Sequence, residues 1–199
     1  MSSEPLPLIV TPTYSWDGDD GSWSTFAIEV GSPPQSFRVL PATIGQEVAI
    51  PVPQGCGGAL SNLTDCGNLR GANDNASRGF LSEKSTTWDP QGPYVFSDGN
   101  NLFGDANPGL YGLDSVALAN KVTGNYTSAL EKQTVAGISQ QYFWLGILGL
   151  GTSLGKLSSD TAIPSLMATL KNQTVIPSLS YGYTAGQSYG EYPRKDHVV

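Results

Sequence analysis

Apolar residues in this chain recur mostly at every second position, in short runs separated by turn formers. In "STFAIEVG", Phe26, Ile28 and Val30 alternate with polar or small neighbours, the two-residue period of a half-buried strand. "SPPQSFRVLPA" repeats the period after a proline turn and predicts a second strand that forms a hairpin with the first. "EVAIPVP" predicts a third strand, "GLYGLDSVAL" and "QTVAGIS" two more, and "YFWLGILGLG" a buried strand ending in glycines. Upstream, "PLPLIVTP" (Pro5 to Pro12) predicts a leading strand and "SWDGDDGSW" a turn cluster. From Gly57 to Asn107, Gly, Asn, Asp and Ser accumulate, which predicts long surface loops with short strands around Tyr94 to Phe96 and at Leu102. Near the end, "PSLSYGYTAG" returns to strand.

One segment has a helical period. In "DTAIPSLMATLKNQ", Leu166, Met167 and Leu170 form one apolar face, Pro164 suits the first turn, and Asp160 or Thr161 is the expected cap. No repeat of about 20 to 50 residues is present. The expectation is a mostly β fold with one short α-helix.

A length of 199 residues and a hydrophobic content of 39% suffice for a real core. The net charge of -7, with ten Lys and Arg and no long basic run, argues against a nucleic-acid partner. No stretch of about 18 apolar residues predicts a membrane span. The start, "MSSEPLPLIV", lacks a basic region and a long apolar run, and it reads as a mature terminus with an added Met.

Cys56 and Cys66 lie in "CGGALSNLTDC", a loop that suits a small surface disulfide and an oxidising compartment; the alternative is two free thiols in a reducing one. With no CxxC pair and His197 as the sole histidine, there is no ligand set for zinc, and no metal or cofactor is expected. Acceptor patterns for N-glycosylation occur at Asn62, Asn75, Asn125 and Asn172. Together with the cysteine loop they favour secretion, to the extracellular space or the cell surface.

The order of these pieces resembles a known family. "WSTFAIEVGSPPQSFRVL", a tight bend, "VAIPVPQGC", "STTWDP", "YGLDSVAL", "GILGLG" and "PSLMATLKNQTVIPSLSYGY" together look like the amino-terminal lobe of the pepsin-like aspartic peptidases. "NQTVIPSLSYGYTAG" is similar to the fungal secreted or membrane-anchored branch. The resemblance implies one lobe over residues 1–199, built as a closed or orthogonally packed β-barrel or sandwich. It makes residues 1–22 a leading strand and turn, and 187–199 a tail where a second lobe would begin.

In active members of that family the bend after the "FRVL"-like strand carries Asp-Thr-Gly, and the second lobe supplies a partner Asp. The two carboxylates share a proton and activate a water. Here the bend reads Ala42, Thr43, Ile44, Gly45, so the resemblance implies a lost catalytic residue at Ala42. Glu47 is the nearest carboxylate, and alternation on the outgoing strand predicts a solvated side chain. Asp160-Thr161-Ala162 imitates the motif in the wrong context, at a helix start. Phe103 falls near the tyrosine of the family's flap or serves as a half-buried strand residue, and Tyr111 is expected on the strand leading out.

The resulting expectation is a non-catalytic, secreted lobe that binds a peptide or protein ligand in a remnant cleft or serves a structural role. It would pair as a homodimer through "PLPLIV" and "SLSYGYTA". The alternative is half of an acid endopeptidase whose other lobe lies outside this chain.

Overall fold

A computed structural model describes residues 5–18, 23–73, 79–95, 108–120, 123–141, 144–157, 162–184 and 197–198. The fold is mostly β. Its strands are β1 (Pro12–Asp17), β2 (Trp23–Val30), β3 (Gln35–Ala42), β4 (Val48–Pro51), β5 (Asp89–Val95), β6 (Pro108–Leu118), β7 (Leu130–Ile138) and β8 (Gly146–Gly149). Two helices, α1 (Cys66–Leu69) and α2 (Leu166–Asn172), and the short strands β9 (Gly155–Lys156), β10 (Ala162–Ile163), β11 (Tyr183–Thr184) and β12 (His197–Val198) complete the described elements.

The large sheet runs β1-β2-β3-β8-β4-β7-β6-β5, and β2 also pairs with β6. That extra pairing, Ile28↔Leu118 through Val30↔Val116, closes six strands into a ring, with β1 and β5 as outriggers. β3 and β8 are parallel, as are β4 and β7, and the remaining ring pairs are antiparallel. β8 thus lies between the two strands that the bend joins.

Alternation along the strands feeds two apolar layers. Phe26, Ile28, Val30, Phe37, Val39, Val48, Ile50, Val116, Leu118 and Leu148 form the main core, on which Leu166, Met167 and Leu170 of α2 pack. Ala49, Tyr111, Ala136 and Ile138 form a second layer with Tyr94, Ile147 and Leu157 against it. β4 is a ring strand paired on both edges and covered on both faces, so all four of its residues are buried.

Several elements differ from the sequence-based expectation. The first strand is Pro12–Asp17, not Pro5 to Pro12, so Ser15, Trp16 and Asp17 of the expected turn cluster are strand. The upstream segment contributes one bridge, Val10↔Asn120. Leu8 and Val10 are buried in the main core near Leu118, Leu150, Met167 and Tyr181, and are not an exposed face awaiting a second lobe. The expected loop region contains α1 and all of β5, whose Pro90 and Pro93 are tolerated because β5 is an edge strand.

α2 begins at Leu166 with Ser165 as its cap, the Ala168 N–H donating to Ser165 Oγ at 3.1 Å. Pro164 therefore precedes the cap, and Ala162–Ile163 is strand. Asp160 and Thr161, the expected caps, lie outside the described residues. In "PSLSYGYTAG" strand is confined to Tyr183–Thr184, which pairs with His197–Val198.

Candidate functional site

β3 ends at Ala42, which lies opposite Gly149 of β8. The chain then turns through Thr43 and Ile44, both exposed, and Gly45, whose φ of +85° favours glycine. Four backbone bonds clamp this bend. Leu150 N donates to Ala42 O (2.8 Å), Gly149 N to Glu47 O (3.2 Å), Gly151 N to Gly45 O (3.0 Å) and Leu166 N to Gln46 O (3.0 Å). The "GLGLG" run allows the approach, since a β-carbon at Gly149 would lie 2.7 Å from Glu47 O and one at Gly151 2.6 Å from Gly45 O. The first turn of α2 therefore donates directly into the bend.

The bend forms one wall of an open cleft of about 600 Å³. Glu47, Tyr94, Tyr111, Ser153 and Lys156 supply its polar groups, with Leu154, Leu157 and Ile163 among the apolar ones. Gln46 Nε2 donates to Ser153 Oγ (3.1 Å), tying the bend to the opposite loop. Glu47 is the one carboxylate lining the cleft among the described residues.

Glu47 is not the solvated side chain that alternation predicts. It is 9% exposed, and it shares the parity of Ala49, which places it on the second apolar layer. Its Oε2 accepts from Gln46 N (2.9 Å) and its Oε1 accepts a long bond from the Tyr111 hydroxyl (3.3 Å). Tyr111 lies on β6, as expected, but its role beside Glu47 was not read from the sequence. Burial first, then the charge of Glu47, then the hydrogen bond between them raise the Tyr111 phenol above its ordinary range. Tyr94 meets Tyr111 edge to face, with ring centroids 5.8 Å apart, because β5 and β6 pair Gly92↔Tyr111 and Tyr94↔Gly109. Phe103 lies outside the described residues.

Cys56 and Cys66 form a disulfide with Cα atoms 5.9 Å apart, both residues buried. Beside it Arg70 is fully buried, donating to Gln140 O (2.9 Å) and Trp144 O (3.3 Å), and burial pushes its guanidinium down to about 10. Gly55 has no room for a side chain because the Arg70 guanidinium occupies that space. Asn62, Asn125 and Asn172 are exposed; Asn75 lies outside the described residues. No group of three or more metal-ligating side chains occurs among the described residues, nor does any helix long and apolar enough to cross a membrane. Comparison with protein-family models and with curated proteins finds no match to this chain.

Proposed function

We propose that this chain is a non-catalytic amino-terminal lobe of the pepsin-like aspartic peptidase type, secreted, holding a peptide or protein ligand in the cleft beside its bend. The observation that carries the reading is a clamped bend whose residues Thr43 to Glu47 line a cleft, entered from a strand that ends in Ala42, where the resemblance expects an acid. Proton sharing between two acids needs two carboxylates a few ångströms apart. The described lining supplies one, Glu47, with both oxygens already accepting hydrogen bonds.

The disulfide and the exposed Asn62, Asn125 and Asn172 support the secretory part of the reading. A structural role at a fungal surface is compatible with the same features. Self-association through the two terminal segments now depends on Leu6, Leu179 and Tyr183, their exposed apolar side chains. Light scattering over a concentration series, with Leu179→Lys as the weakened variant, reads it.

The test of the non-catalytic reading is incubation with an unfolded protein at about pH 3 to 5, where one of two coupled acids stays protonated. No cleavage is expected, and none from Ala42→Asp, because one restored acid has no partner. Cleavage blocked by a statine-type inhibitor overturns the reading in favour of half of an acid endopeptidase.

A further inference from the structure

We propose that the cleft contains a subsite for a positively charged ligand group, an ammonium, amidinium or guanidinium, with the Glu47 carboxylate as its acceptor. The inference rests on the reading of the cleft as a binding site and adds the chemistry of what it takes.

A carboxylate offers about four acceptor positions. Glu47 uses two in the bonds described, one to a backbone amide and one, at 3.3 Å, to a neutral phenol. Neither donor carries charge. Arg38 pairs with Asp17, and neither residue lines the cleft. Lys156 lines the same cleft but is exposed and forms no ion pair with Glu47.

A carboxylate nine-tenths buried without a cation carries a desolvation cost that an incoming cation offsets. Space remains on the side of the bend: beyond its two chain neighbours, a β-carbon built at Gly45 meets nothing closer than Glu47 Oε2, 4.0 Å away. Tyr94 and Tyr111 line the same cleft, Tyr111 turning its hydroxyl to Glu47. A buried anion with unused acceptor capacity suits a cation better than a neutral amide.

The test uses the full chain with benzamidine and its neutral isostere benzamide, followed by the amide resonance of Gln46 and the ring resonances of Tyr94 and Tyr111. Benzamidine is expected to bind at least tenfold more tightly than benzamide. The preference should disappear in Glu47→Gln and persist in Tyr111→Phe, which keeps the carboxylate. Added salt should also weaken benzamidine binding and leave benzamide binding unchanged in the unaltered protein, since it screens a charge pair only; this arm stands even where Glu47→Gln does not fold. Equal binding of the two probes, a preference that survives in Glu47→Gln, or benzamidine binding indifferent to salt overturns the subsite. A neutral capped hexapeptide of Val, Leu and Ser reads the cleft separately. Peptide binding without the benzamidine preference overturns the subsite alone, and the preference without peptide binding overturns only the peptide reading.

Discussion

Glu47 and Ala49 face the same layer, and what separates them is a buried charge. The identity of Glu47 was plain in the sequence, but its environment was not. Alternation assumes one wet face, and β4 has none because β7 and β8 flank it inside the ring while side chains cover both sides. Ala42 was legible in full, since a methyl group has no proton to give whatever surrounds it. Tyr111 carries a prediction of its own. The fold holds its proton more tightly than the unfolded chain, in which a phenol ionises near about 10. Above that pH the unfolded state binds fewer protons, so stability falls as pH rises. Tyr111→Phe should flatten this alkaline decline and cost about 1 kcal/mol at neutral pH through the lost bond to Glu47. Urea midpoints measured from pH 7 to pH 11 check both.

Among the elements, β2 and β3, with two-residue alternation and few breakers, lay where the pattern put them, and β7, buried without a break from Gln133 to Ile138, covers its predicted segment. β5 did not, because Pro90, Gly92 and Pro93 read as loop; an edge position and a register shift between Pro90 and Gly92 accommodate them. The start of α2 was displaced because Ala162 and Ile163 satisfy their backbone against β9, leaving Ser165 as the first residue able to cap. The cysteine loop was legible from spacing and composition. Its buried arginine was not, since no local pattern announces that Arg70 will bridge to Gln140 and Trp144. Reduction of Cys56–Cys66 should lower stability by roughly 2 to 3 kcal/mol through the freedom returned to the unfolded chain. Intact mass and alkylation before and after reductant, paired with urea unfolding, measure it. Two thiols alkylated in the native unreduced protein would contradict the bridge.

For the whole molecule, the mostly β class followed from composition and alternation, whereas ring closure depends on pairings between distant segments that periodicity does not encode. The terminal segment shows the difference. "PLPLIV" looked like an exposed seam, yet Leu8 and Val10 are core residues, while Leu179 remains 48% exposed. Leu8→Lys should therefore destabilise the fold by about 3 kcal/mol or more, by removing apolar burial and placing a charge in the core. Leu179→Lys should leave the midpoint within about 0.5 kcal/mol. Thermal or urea unfolding of the two variants distinguishes them. The parallel pairing of β3 with β8 also sets a timetable. Val39 and Gly146 are register partners although more than half the chain separates them. At the pace of translation, β3 leaves the ribosome on the order of ten seconds before the strand that seals its far edge. During that interval the bend has none of its four clamps, and the wall it contributes to the cleft does not yet exist. The ligand-sized opening thus appears only after β8 and the start of α2 have emerged, and any companion that shields the open edge of β3 must let go before it does.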